Sequence, residues 1–192
     1  RVSFSSNSAF FGGALDVCGN ITLSGNGHVS FDANSASYSG GAIYGDDHSN
    51  ITLCDNGIIS FCGNSVSGSG GAIKAFSSST IMLSNNDSVS FVDNSASSTG
   101  GAISAESSSS LTLSNNKSVS FIGNSASDFF GGAIIGYGNI TLRENDSVIF
   151  IGNSASWGGA IYESVDITLS NNGRVSFVDN SASSGGGAIC AS

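Results

Sequence analysis

The chain has 192 residues and a net charge of −9, with only 10% charged residues, 27 Gly and no Pro. The five Lys and Arg residues are scattered, so the sequence lacks the basic patch that nucleic-acid binding requires, and no apolar run approaches the roughly 20 residues that span a bilayer. Low charge together with 39% hydrophobic residues also argues against disorder.

Two short motifs alternate from one end of the chain to the other. The first, Phe-x-x-Asn, occurs seven times, as Phe4 with Asn7, Phe31 with Asn34, Phe61 with Asn64, Phe91 with Asn94, Phe121 with Asn124, Phe150 with Asn153, and Phe177 with Asn180. The second, Gly-Gly-Ala-Ile or Gly-Gly-Ala-Leu, follows each copy and begins at Gly12, Gly40, Gly70, Gly100, Gly131, Gly158 and Gly186. Successive Phe residues are 27 to 30 positions apart, a period typical of a stacked repeat array.

Each repeat contains, in chain order, three short segments with apolar residues at alternate positions. The first is Val-Ser-Phe, the second is Gly-Gly-Ala-Ile and the third is Ile-Thr-Leu. Such alternation indicates strands with one buried face. The sequence therefore predicts an all-β fold, a right-handed parallel β-helix with three short strands per rung and about seven rungs of 27–30 residues. One repeat region covers residues 1–192.

The spacings within a repeat indicate which corners are fixed. The Leu of Ile-Thr-Leu always precedes the next Phe by eight positions, and the second segment precedes the third by six or eight. A difference of two keeps every side chain on its face of the sheet, whereas a slip of one would turn the buried set outward. From Phe to the first Gly the spacing is 8, 9 or 10, so we expect this link to be an irregular corner that absorbs insertions.

Stacked rungs place identical residues over one another. We expect the seven Phe residues to form a column that carries much of the core. We expect the Asn residues of Phe-x-x-Asn, from Asn34 through Asn153 to Asn180, to form a second column, in which each side-chain amide bonds to the next, as in the Asn ladders of amyloid. The alternative is that Asn only tolerates the turn conformation at this position.

The variable corner before each Gly-Gly carries the exposed aromatic candidates. Tyr38, Phe129, Phe130 and Trp157 lie there, while the third and fourth repeats have only small residues at the same place. These rings either cover the interior locally or form a contact patch for a partner. They are the predicted partner-binding residues.

The four cysteines, Cys18, Cys54, Cys62 and Cys190, have no common place in the repeat. They lack the close pairs of a zinc site. Cys54 and Cys62 lie on neighbouring segments, and they either bridge in an oxidising compartment or remain free thiols.

The sequence gives little support for catalysis, and we expect no enzyme activity, metal or cofactor. A carbohydrate-cleaving site needs two carboxylates that converge on one face, whereas the acidic residues here are spread along the chain. The alternative of a carbohydrate-active enzyme would require two carboxylates and a base within about 6 Å of one another. An ice-binding column of outward Thr residues is only one residue wide and is interrupted at Met82.

The paired motifs Phe-x-x-Asn and Gly-Gly-Ala-Ile/Leu, seven copies of each, resemble those of the chlamydial polymorphic outer membrane proteins. The resemblance covers essentially all of the chain. It implies a surface-exposed β-helical autotransporter passenger, exported through a C-terminal barrel, that mediates attachment to host cells or self-association. It also implies an oxidised, disulfide-rich outer envelope.

The leading functional hypothesis is thus a non-catalytic, adhesin-like passenger segment at the cell surface or outer membrane. Its expected partners are a host-cell surface or matrix component, or other copies of itself. The alternative is a structural repeat unit of an extracellular filament, in which open rungs pair end to end. Because the chain starts and stops within repeats, we expect it to be an internal fragment of a longer surface protein.

Overall fold

The computed structural model describes residues 1–191 and shows a parallel β-solenoid built from four sheets. These described residues make six complete turns of four strands and a seventh turn of three strands. The predicted all-β parallel β-helix is confirmed, with one more strand per rung than the sequence indicated. Among residues 1–191, no helix is long and apolar enough to cross a bilayer.

The sheets run the length of the solenoid, with one strand from each turn. The first contains Val2–Ser5, His28–Asp32, Ile58–Cys62, Ser88–Val92, Ser118–Ile122, Ser147–Ile151 and Arg174–Val178. The second contains Ser8–Phe11, Ser35–Ser39, Ser65–Val66, Ser95–Ala96, Ser125–Ala126, Ser154–Trp157 and Ser181–Gly185. The third contains Leu15–Val17, Ile43–Gly45, Ile73–Ala75, Ile103–Ala105, Ile134–Gly136, Ile161–Glu163 and Ile189–Ala191. The fourth contains Asn20–Ser24, Asn50–Cys54, Thr80–Ser84, Ser110–Ser114, Ile140–Arg143 and Ile167–Ser170.

The second sheet contains the strand of each turn that the sequence interpretation missed. This strand lies in the link between Phe and Gly-Gly that was expected to be irregular. Its first two positions, a Ser followed by Ala or Val, pair in register from turn to turn, as Ser65–Val66 does with Ser95–Ala96. The insertions follow these two residues. Where the link is shortest, the register shifts, between Ala9 and Phe11 and between Ala155 and Trp157. The link is therefore regular at its start and variable only at its end.

The seven Phe residues stack in a single column inside the solenoid. Neighbouring ring centroids are 4.6–4.8 Å apart and the ring planes are within 8° of parallel. This spacing is the distance between paired strands, so the column follows directly from the sheet register. The five inner rings, Phe31, Phe61, Phe91, Phe121 and Phe150, are completely buried.

The Asn residues of Phe-x-x-Asn form a continuous hydrogen-bonded ladder. Asn64 Oδ1 accepts from both the backbone N–H and Nδ2 of Asn34, at 3.0 Å each. Asn64 Nδ2 donates to Asn94 Oδ1 at 2.9 Å and to the carbonyl oxygen of Phe31 at 3.0 Å. Each buried amide therefore has partners in the turn before and the turn after it, which satisfies polar groups at a corner that has no access to water.

The same ladder continues to the last turn of the solenoid. Asn153 is completely buried, and its Oδ1 accepts from Asn124 Nδ2 at 3.0 Å. Asn153 Nδ2 donates to Asn180 Oδ1 at 2.8 Å. Asn180 is only half-buried, and its Nδ2 donates to the carbonyl oxygen of Phe150 at 2.9 Å. The structure thus shows the expected ladder from Asn7 to Asn180, with its amides less than fully buried only in the first and last turns.

A second Asn ladder occupies the corner between the fourth and first sheets, and sequence reasoning did not identify it. Its members are Asn26, Asn56, Asn86, Asn116, Asn145 and Asn172, each bonded to the next through Oδ1. This ladder explains why the spacing from Leu to the next Phe is always eight, since every copy must place its amide at the same height. In both ladders the residue before the inner Asn residues has a positive φ between 51° and 68°.

The Gly-Gly pair is required for two different reasons. Gly70, the first Gly, has a φ of +73°, a left-handed conformation that glycine adopts without strain. A Cβ on Gly71, the second, would clash with the carbonyl oxygen of Gly101 in the next turn. The first position thus needs glycine for its conformation and the second for the close approach of the neighbouring turn.

Glu163 is an exception in the third sheet, because it replaces an inward-facing small residue. It pairs with Gly136 and Ala191 in register and is only 1% exposed. Its Oε1 accepts hydrogen bonds from the backbone N–H groups of Ser164 and Val165 at 2.8 Å, whereas its Oε2 has no hydrogen-bond partner among residues 1–191. Burial, with a smaller contribution from nearby Asp166, raises the pKa of the Glu163 carboxyl against those two backbone bonds.

We expect Glu163→Gln to stabilise the protein by about 1–2 kcal/mol at about pH 8, because Gln keeps an Oε1 acceptor for the two backbone N–H groups while its side chain carries no charge to bury. The folded state binds the Glu163 proton more tightly than the unfolded chain does. Wild-type stability therefore falls as pH rises from about 4.3, the ordinary carboxyl pKa, through the raised pKa of the folded state, and the gap between the two proteins should widen over that range. Thermal unfolding across this pH range measures the gap. Glu144→Gln, at an exposed ion pair, is the control, and a gap that does not change with pH would contradict the prediction.

Candidate functional site

Two columns of side chains face each other across the Gly-Gly corner between the second and third sheets. The column that directly precedes Gly-Gly consists of Phe11, Ser39, Ser69, Thr99, Phe130, Trp157 and Gly185. The column that follows the Ile or Leu of the motif consists of Asp16, Tyr44, Lys74, Ser104, Ile135, Tyr162 and Cys190. We call the space between these two columns, together with the adjoining Tyr38 and Glu106, the corner groove.

Contacts across the corner groove run diagonally, from one turn to the next. The ring of Phe11 stacks on that of Tyr44, with centroids 4.8 Å apart. Phe130 and Tyr162 also lie in adjacent turns, with ring centroids 4.4 Å apart. The groove is therefore aromatic near both ends, and only small or polar residues of the first column lie between them.

The predicted partner-binding residues fall into two separate clusters. Phe130 and Trp157 form a bridge between adjacent turns and line a cleft of about 300 Å³ with Tyr162 and Cys190. Trp157 is 42% exposed and Phe130 is half-buried. This cluster provides a mostly apolar surface that a partner can reach.

The other two predicted residues differ in their surroundings. Tyr38 lies in a second cluster, with Phe10 and Phe11, where its ring stacks on Phe10 at 5.3 Å and meets Phe11 edge-on at 5.3 Å. Phe129 lies beside Phe130, with centroids 6.0 Å apart. Tyr38 is 58% exposed and Phe129 is 52% exposed, so both keep much of their ring surface in contact with solvent.

An ion pair occupies the middle of the corner groove. Lys74 Nζ donates to Glu106 Oε2 at 2.8 Å, and the two side chains are only 9% and 20% exposed. Ser104 Oγ and Thr99 Oγ1 donate to Glu106 Oε1 at 2.8 and 3.3 Å. Burial opposes ionisation of Glu106, but the charge of Lys74 and these hydrogen bonds hold the pKa of the Glu106 carboxyl below its usual value. Glu106 is therefore ionised at neutral pH, and its negative charge is balanced by the positive charge of Lys74.

Aromatic rings surround this ion pair. Lys74 Nζ lies 5.7 Å from the ring centroid of Phe76, within range of a cation–π contact. Lys74 and Glu106 line a cleft of about 330 Å³ together with Tyr38 and Tyr44. The Tyr44 hydroxyl donates to Asp46 Oδ2 at 3.0 Å, and burial and this carboxylate raise the pKa of Tyr44. The middle of the groove thus offers both ring faces and polar groups.

Sequence reasoning missed the Lys74–Glu106 pair because it treated the charged residues as scattered. Lys74 directly follows the Ile of one motif, and Glu106 follows the Ile of the next motif by three positions. The stacking of adjacent turns brings the two side chains together although their positions in the repeat differ. Comparing the residues just after each Gly-Gly-Ala-Ile, turn by turn, would have revealed the pairing.

The remaining candidate groups do not form a site in the part of the chain that the structure describes. Cys18, Cys54, Cys62 and Cys190 are free thiols there. Within the same residues 1–191, no group of three or more His, Cys, Asp and Glu side chains is placed to hold a metal ion.

Five segments match the family model of the Chlamydia polymorphic membrane protein repeat, namely residues 28–46, 58–75, 88–106, 147–162 and 174–192. Each match begins at the start of a strand of the first sheet and includes the Gly-Gly corner. The repeat that the model describes is thus the part of the turn that forms the corner groove. Comparisons with curated proteins and with solved structures gave no significant match.

Proposed function

Since the chain is a polymorphic membrane protein-like repeat region, we propose that it is a non-catalytic, adhesin-like passenger segment whose corner groove contacts host cells. The repeat family implies a surface-exposed protein associated with the outer membrane. The observation that carries the proposal is the aromatic lining of the groove. Clustered exposed rings on one face are typical of a contact surface, whereas single exposed apolar residues are not informative.

The rings of the first column are not needed for the fold. Ser69 and Thr99 occupy the same position in the third and fourth turns, and these turns keep the same sheet register as their neighbours. The solenoid therefore closes with small residues at this corner. Phe130 and Trp157 add apolar surface that the fold does not require, which favours a role in recognition.

The solenoid also suits a role that depends on reach. Each turn adds about 4.8 Å along the axis through paired backbone groups, and columns of identical residues stiffen it. A rod of this kind presents the corner groove at a distance from the surface that carries it, and further repeats would extend that distance.

We expect Trp157→Ala and Phe130→Ala to weaken binding of the fragment to host cells about 30-fold or more, since a buried aromatic anchor at an interface contributes about 2 kcal/mol or more. Flow cytometry with labelled protein measures the binding. Met82→Ala, an exposed residue on the fourth sheet, is the matched control. No binding at any dose, or equal binding by all four proteins, would overturn the proposal for this segment.

Self-association is the other role considered, either through the groove or as a filament that stacks end to end. Sedimentation and electron microscopy of the same four proteins separate it from host contact. Fibres, or oligomers that Trp157→Ala dissolves, would favour self-association over attachment to cells.

A further inference from the structure

We propose that the middle of the corner groove binds a neutral glycan, with the ring of Tyr38 as the stacking surface and the Lys74–Glu106 pair as the hydrogen-bonding group. This inference rests on the proposed function, because it names the class of surface molecule that the groove would contact. It concerns the polar middle of the groove and not the cluster at Trp157.

The Tyr38 ring is placed as a platform. Phe10 stacks on it at 5.3 Å, which fixes its orientation, and 58% of the Tyr38 side chain remains exposed. The next two turns carry Gly68 and Ser98 in this region, and a cleft of about 290 Å³ lies beside the ring, with Lys74 also in its lining. An aromatic face next to an open cleft is suited to the C–H face of a sugar ring.

The polar groups beside this platform still have hydrogen-bonding capacity. An ammonium group has three N–H donors, and Glu106 takes one of those of Lys74. With Glu106 as its hydrogen-bond partner in the described part of the chain, Lys74 keeps two donors for a ligand in the clefts that it lines. The hydroxyls of Ser37, Ser67 and Ser98 line the same space, and each can donate and accept. A sugar that presents several hydroxyls matches this mixture of donors and acceptors.

Other classes of ligand fit less well. The charge of Lys74 is balanced by Glu106 at 2.8 Å, and the net charge of the chain is −9, so an anionic glycan or a nucleic acid finds no net attraction. The strands on both sides of the groove, such as Ser35–Ser39 and Ile73–Ala75, are paired on both edges. A peptide therefore has no free strand edge to extend.

The test measures binding of cellohexaose, chitohexaose and lacto-N-neotetraose to the whole chain, with a heparin hexasaccharide as the anionic probe. Saturation-transfer NMR detects contact and calorimetry gives the affinity. We expect Tyr38→Ala to weaken binding of a neutral probe about tenfold, as expected for the loss of a stacked ring. Lys74→Met combined with Glu106→Leu should also abolish binding while leaving no unpaired charge. Tyr38→Phe keeps the stacking ring and should restore most of the binding that Tyr38→Ala loses. Met82→Ala, on the fourth sheet, is the control that should bind as wild type.

Three results would overturn the inference: no neutral probe binds, Tyr38→Ala binds as well as wild type, or heparin binds more tightly than every neutral probe. Since Tyr38 is exposed, its variants test the inference even if the double variant fails to fold. The proposed function is tested separately by cell binding. Cell binding without binding of any neutral probe would overturn the glycan inference alone, whereas glycan binding without cell binding would overturn the attachment role alone.

Discussion

Replacing Phe91 with Ala is expected to lower the free energy of unfolding by about 3–5 kcal/mol, the usual cost of truncating a fully buried Phe. Phe91 is completely buried and stacks on Phe61 and Phe121 at 4.7 and 4.8 Å. The cavity cannot close by collapse of the neighbours, because the backbone register holds each ring at its own height. Both neighbouring rings would lose one stacked face.

Phe177→Ala is the matched control for this substitution. Phe177 belongs to the same column but is only partly buried, and Phe150 is its one stacked neighbour among the described residues. Its truncation should therefore cost clearly less. Chemical denaturation of both variants measures the difference. Equal losses for Phe91→Ala and Phe177→Ala would mean that the inner rings do not carry the core as the stacked column implies.

The features that the sequence predicted well are those fixed by the repeat itself. Identical residues at a regular spacing must stack once the strands are parallel and in register, so the Phe column could be located from the positions of Phe alone. The same holds for the first Asn ladder, which reaches Asn153 and Asn180 although the last two repeats are shorter. The invariant spacing of eight between Leu and Phe correctly indicated a fixed corner. Its cause, the second Asn ladder through residues such as Asn86 and Asn116, was equally visible as an invariant Asn and was overlooked.

The features that the sequence did not predict depend on variable positions. The second sheet was missed because its strands in the middle turns have only two residues each, such as Ser65 and Val66. Two residues are too few to show the alternation of a strand. The Lys74–Glu106 pair was missed because its two members occupy different positions of the repeat in different turns. Only the stacking of adjacent turns brings their side chains within 2.8 Å. A contact between different residue types in adjacent turns can be predicted only from the exact register of the strands. The repeat period gives that register only approximately.

Replacing Asn94 with Ala is expected to destabilise the protein by about 3–5 kcal/mol, because each buried polar group left without a partner costs about 1–3 kcal/mol and the lost amide also leaves a void. Asn94 is completely buried. Its Oδ1 is the acceptor for the backbone N–H and Nδ2 of Asn64, and its Nδ2 donates to the carbonyl oxygen of Phe61 and to Asn124 Oδ1. The substitution removes all four bonds, and because Asn64 is completely buried, solvent cannot replace the acceptor of its N–H.

The comparison that isolates the ladder is Asn7→Ala in the first turn. Asn7 is exposed and donates to Asn34 Oδ1 through its N–H and Nδ2, so its side chain loses one bond that water can replace, at a cost of about 1 kcal/mol or less. Unfolding curves for both variants, with hydrogen exchange of the Asn64 amide, measure the effect. If Asn94→Ala were as mild as Asn7→Ala, or left exchange at Asn64 unchanged, the Asn column would be a tolerated turn residue and not a structural ladder.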